Sequence, residues 1–207
     1  MNASIRKSHK TLILFGILCI FFSFSDKKFS DQENVRWITF EQAVEMTKKN
    51  PKPIIIDVYT QWCGPCKLMS KNTFNHPKIS KYINDNFYAV KFDAECHDTV
   101  KLKAIIPDTI KKEGKIVSIR EKEQLFTFVN PSPVGTPRAS HQFAVSILDG
   151  KLAYPSIVFL SPKIQRMDIK LGYHTAEQFE PILNYFGSNA YEKISFEEFK
   201  GKFVSQL

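Results

Sequence analysis

Cys63 and Cys66 are separated by Gly64-Pro65 and stand where an apolar run, Ile54-Ile55-Ile56-Asp57-Val58-Tyr59, passes through Thr60-Gln61-Trp62 into a helical pattern. Two thiols at this spacing on the first turn of a helix can close a small disulfide ring. The unpaired N–H groups and positive dipole end of the helix stabilise the thiolate of the first cysteine. The chemistry this predicts is dithiol–disulfide exchange. A rival use of Cys-x-x-Cys is half of a zinc site, with Cys96 and His97 as nominal further ligands. Those two lie far downstream, and the Gly-Pro interior is typical of redox pairs. His76, His97, His141 and His174 share no spacing and are assigned no chemistry, and no phosphate-binding glycine loop is present.

The elements that would hold the pair follow from pattern. Ile54 to Tyr59 reads as a buried strand, its nearly continuous apolar character suiting a position covered on both faces. Before it, Thr39 can cap a helix with Gln42 three residues on, and Phe40, Ala43, Val44 and Met46 are the candidate inward positions. Pro51 and Pro53 end that helix. After the cysteines, Met69 and Phe74 continue the helical spacing until His76-Pro77 interrupts it, and a second piece runs from Lys78 to Phe87. Tyr88 to Asp93 is a further strand, giving a right-handed crossover and a parallel pair.

From His97 to Ala153 the pattern is weaker. Lys115–Ile119 and Leu125–Val129 alternate like a hairpin, a loop containing Pro131, Pro133, Gly135 and Pro137 follows, and Ser140–Leu148 reads as helix. Ser156–Leu160 and Ile164–Leu171 form a strand pair, and Thr175 caps a helix from Ala176 to Phe186. Phe196, Phe199 and Phe203 place a short helix in the tail, docked on the body.

The 207 residues suit one elaborated domain. Lysines such as Lys48, Lys49, Lys111 and Lys112 alternate with acids on solvated faces, and no arginine-rich aromatic stripe points to nucleic acid. Arg6, Lys7 and Lys10 precede an uncharged run from Thr11 to Ser25. This pattern predicts an export signal with Ser23 and Ser25 at the cleavage site, cut before Asp26. An uncleaved membrane anchor is the alternative, although the run falls short of the roughly 20 residues a spanning helix needs. Acylation at Cys19 is a third, against which bulky Leu18 stands. Cleavage removes Cys19 and lowers the formal charge from +8 to +5 with the loss of Arg6, Lys7 and Lys10. Cys96 is then left over once Cys63 pairs with Cys66, and it reads as a small buried hydrophobe, with a regulatory or intermolecular disulfide as its alternative.

The string Trp62-Cys63-Gly64-Pro65-Cys66-Lys67 resembles the active site of the thioredoxin family. Asp57 matches the family's buried carboxylate, Lys91 the lysine near it, Tyr154-Pro155-Ser156 the cis-proline loop, and Gly172 the glycine after the last hairpin. The resemblance implies an α/β thioredoxin fold, a central mixed sheet flanked by helices, over 34–188. A long insertion at 97–153 precedes the cis-proline strand, and 189–207 is a C-terminal helical extension; 1–25 is the signal and 26–33 a linker.

It further implies an exported enzyme that reduces protein disulfides without a cofactor. Cys63 is the exposed attacking sulfur, Cys66 the resolving one, Asp57 the proton acceptor for Cys66, and Pro155 a cis residue flanking the pair. Trp62, Tyr59, Gly64, Pro65 and Tyr154 form the substrate face, and Lys91 supports Asp57. The implied partners are disulfide-containing envelope proteins and a membrane thiol electron donor, acting on a monomer. Alternatives of the same fold are a disulfide oxidase or isomerase, or a redox-locked binding module working through the insertion, for example in cytochrome maturation.

Overall fold

The computed structural model describes residues 34–112 and 115–207, so the expected signal and linker lie outside the described residues. β1 (Trp37–Ile38), β2 (Ile54–Tyr59), β3 (Tyr88–Asp93), β6 (Ser156–Leu160) and β7 (Arg166–Leu171) form one sheet in the order β1-β3-β2-β6-β7. Its β1-β3-β2 part is parallel, and β6 and β7 run antiparallel beside it. β2 and β3 have the bounds the sequence predicts. β1 is too short to show a period and is legible only once it pairs with Ala89 and Val90.

Strand alternation sorts the core into two layers. Ile55, Ala89, Ile157 and Phe159 face the layer of α2 (Gly64–Met69), α3 (Pro77–Asn86) and α5 (Ala176–Gly187). Ile54, Ile56, Val58, Val90 and Val158 face α1 (Phe40–Lys49) and α4 (Gln142–Ile147) on the other side. α1 starts with the expected capping box between Thr39 and Gln42. Met46, however, is 43 % exposed, and Thr47 takes the inward position, its hydroxyl donating to the Lys52 carbonyl. Residue 47 is the i+7 position of the face begun by Phe40, Ala43 and Val44, and the bond to Lys52 lets a polar side chain fill it.

The two segments that the sequence reads as a hairpin, Lys115–Ile119 and Leu125–Val129, do not pair with each other: they fall along one strand, β5 (Lys115–Phe128), which pairs antiparallel with β4 (Val100–Lys112), a strand the sequence does not announce. Pro107 sits within β4, where a two-stranded ribbon leaves one edge of each strand unbonded and a missing N–H is tolerated. Val100, Leu102 and Phe128 at its base pack into the α1–α4 layer. α6 (Phe196–Lys202) docks on α5, with Tyr185 against Phe196 and Phe199.

Candidate active site

β2 ends at Tyr59 and the chain turns through Thr60-Gln61-Trp62 to Cys63, which caps α2. Cys63 and Cys66 are joined by a disulfide, with an S–S distance of 2.01 Å and Cα atoms 5.3 Å apart. The Cys66 N–H donates to Cys63 Sγ at 3.1 Å. Pro65 falls in the first turn, where its missing N–H costs no helical bond. A helix N–H aimed at sulfur is the local device that favours a thiolate over a thiol once the bond is reduced.

Cys63 is not the exposed residue the sequence reading expects. It is 2 % exposed and Cys66 is buried as well, while Trp62, Gly64 and Pro65 around them are exposed.

Asp57 lies on β2 directly across from Lys91 on β3, and strand alternation turns both toward the α2 layer that carries Cys66. Burial pushes the Asp57 carboxyl up to about 6; the Lys91 ammonium, 3.7 Å away, works against that rise. Asp57 Oδ1 accepts no protein hydrogen bond. Lys91 is held in place by the rings of Tyr59 and Trp37, 5.0 and 5.5 Å from Nζ, and it donates to Ser70 Oγ. Cys66, Thr60 and Lys91 share the wall of a cavity of about 260 Å³, which also receives Lys67 and Lys71. Tyr59 therefore packs on Lys91 at this cavity.

The neighbouring strand supplies the other side. The Tyr154-Pro155 peptide is cis, and β6 begins at Ser156 opposite Val58. The Gly172 N–H, in a turn at φ +83°, donates to the Pro155 carbonyl at 2.8 Å, tying the loop to the end of β7. Tyr154 meets Trp62 edge-on at 6.1 Å.

Sequence spacing misses two residues here. Glu95 Oε1 accepts from Trp62 Nε1 at 2.9 Å, and the Arg138 guanidinium lies over the Trp62 ring at 5.2 Å. No periodicity links either to the cysteines; only the position of Glu95 just beyond β3 was a signal. Cys96 is a free thiol, half-buried, and burial pushes its pKa up.

Strand order and the disulfide at the head of the helix after the central strand place the molecule among proteins of the thioredoxin fold. The chain belongs to the thioredoxin-like domain family, whose sequence model matches residues 40–187. It is similar to thioredoxin Y, chloroplastic, of Oryza sativa subsp. japonica, 31 % identical over 81 residues, which is 37 % of this chain and 46 % of that protein. It also resembles the thiol:disulfide interchange protein DsbD of Campylobacter jejuni, 29 % identical over 118 residues, covering 50 % of this chain and 21 % of that one. The chain thus spans less than half the length of these curated relatives. Among solved structures, a thioredoxin-fold protein from Helicobacter pylori matches with a TM-score of 0.47 and 17 % identity over 74 % of this chain and 80 % of that one.

Proposed function

We propose that the chain is an exported thiol–disulfide oxidoreductase that reduces protein disulfides. The observation that supports this most directly is the Cys63–Cys66 disulfide at the head of α2, with Asp57 buried on the facing strand. In the reduced chain the Cys63 thiolate attacks a substrate disulfide, forming a mixed disulfide and releasing one substrate thiolate. Asp57 then takes the Cys66 proton, and the Cys66 sulfur attacks Cys63 Sγ, releasing the second substrate thiol and leaving the enzyme disulfide. Two electrons pass from the enzyme dithiol to the substrate, and a membrane thiol carrier restores them. Lys91 keeps Asp57 from being held permanently protonated. Tyr154, Pro155, Trp62, Gly64 and Pro65 form the face on which the substrate segment lies. Export is supported by the basic and apolar pattern of the first 25 residues.

The chain should reduce insulin in the presence of a dithiol donor. Cys63→Ser should abolish turnover, and Cys66→Ala should accumulate mixed disulfides. Turnover that survives Cys63→Ser would remove this reading. A reduction potential near that of a strong oxidant, about −120 mV, would reverse the direction.

A further inference from the structure

The insertion is stitched to the active site rather than appended away from it. Its loop before α4 is tied at both ends to the segment just after β3. Asn130 Nδ2 donates to the carbonyls of Glu95, Cys96 and Ala139 at 3.3, 3.2 and 2.9 Å. The His141 N–H donates to the Ala94 carbonyl at 2.7 Å, and Gln142 N–H to that of Val129 at 3.0 Å. Between these anchors Pro131, Pro133 and Pro137 limit the backbone, and Arg138 is held at φ +57°, a left-handed conformation that side chains other than glycine rarely adopt. The result is a guanidinium parked on the exposed ring of Trp62, the residue next to Cys63.

The charges around that ring are unevenly satisfied. Glu95 accepts from the indole N–H, and Asp93 from Gln61 Nε2 and the Glu95 N–H; these neutral donors fix the carboxylates in place and leave their charge. Among the described residues no carboxylate pairs with Arg138, nor with Lys67 or Lys71 beside Cys66. A guanidinium resting over an aromatic ring spends none of its N–H donors on a charged partner, and those donors match a carboxylate.

We propose that Arg138 is a specificity-determining residue that selects polypeptide substrates carrying an acidic side chain next to the reactive cysteine. The inference rests on the exchange function proposed above. The insertion thereby builds one wall of the substrate site, and the free cation it delivers gives the site its charge preference.

The test uses the reduced chain and a set of disulfide-linked peptide dimers identical except for Glu, Gln or Lys beside the cysteine. The readout is the second-order rate constant for loss of the enzyme dithiol. The Glu peptide should react fastest and the Lys peptide slowest, with a spread of about tenfold at low salt that shrinks toward unity in about 0.5 M salt. Arg138→Gln should remove most of the spread and Arg138→Glu should invert it. Equal rates for the whole set, or a variant that lowers all of them by one common factor, overturn the inference while leaving disulfide exchange standing. Failure of the unmodified chain to reduce any of the peptides overturns the exchange reading, and this inference with it.

Discussion

Asp57 sets the pH behaviour of the molecule at the scale of one residue. Its carboxyl moves from 3.8 to about 6 because burial outweighs the pull of Lys91. Between those values the folded chain binds more protons than the unfolded one, so stability falls as pH rises from about 4 to about 6. Fully developed, that loss is about 3 kcal/mol. Asp57→Asn should therefore make the disulfide form more stable at pH 7.5 by up to that amount and gain nothing at pH 4, as read by denaturant unfolding at both values. The same variant should slow resolution of the mixed disulfide on the order of a hundredfold, since its amide cannot accept the Cys66 proton. A variant equally stable at both pH values, relative to the parent, would show that the carboxylate is not buried at a cost. Asp57 and Lys91 were legible through the resemblance to the thioredoxin active site, with their strands readable from apolar pattern. Arg138 was not, since it reaches Trp62 only through the folding of the insertion, and Glu95 had no signal beyond its place just after β3.

At the scale of elements, the hairpin separates a part that supports the site from a part that does not. Its base packs into the core, but Lys103, Ile105, Lys122, Glu123 and Leu125 are exposed. The ribbon was only half legible because β4 carries Pro107, which reads as a breaker, and because a solvated ribbon mixes charged and apolar residues without a clean apolar face. Replacing residues 104–124 with Asn-Gly joins Lys103 to Leu125, which are already cross-strand partners, through a two-residue turn. The shortened chain should keep its melting temperature within about 3 °C and its insulin reduction within about twofold. Loss of cooperative unfolding would show that the outer ribbon is part of the fold. His141, by contrast, is fully buried. Its Nδ1 accepts from Phe143 N–H, so Nε2 carries the proton donated to the Asp98 carbonyl at 2.8 Å. Burial lowers its pKa, so stability is full above the unfolded value of about 6.5 and is lost as pH falls from there through the lower folded value, opposite in sign to the effect of Asp57.

Across the whole molecule, coverage of both sheet faces could be read from the nearly continuous apolar run of β2, but the contacts of residues 204–207 could not. The buried carboxyl group of Glu180 in α5 accepts from Ser205 Oγ at 2.5 Å and from Gln206 N–H at 2.7 Å, and Lys78 Nζ donates to the Gln206 carbonyl. These residues show no period and lie in a segment without regular structure, so nothing in their spacing announces the contact. Truncation after Phe203 would strip the Glu180 carboxyl of both its protein donors and remove the packing of Leu207 on the α3–α5 layer, costing about 2–3 kcal/mol. At about 2–4 °C per kcal/mol for a domain of this size, the melting temperature should fall by roughly 4–12 °C. Adding Glu180→Leu to the truncated chain should recover part of that loss, because an apolar side chain there needs no donor. If truncation leaves the melting temperature unchanged, or if the leucine lowers it further, the tail is a passive covering and the carboxyl is satisfied by other means.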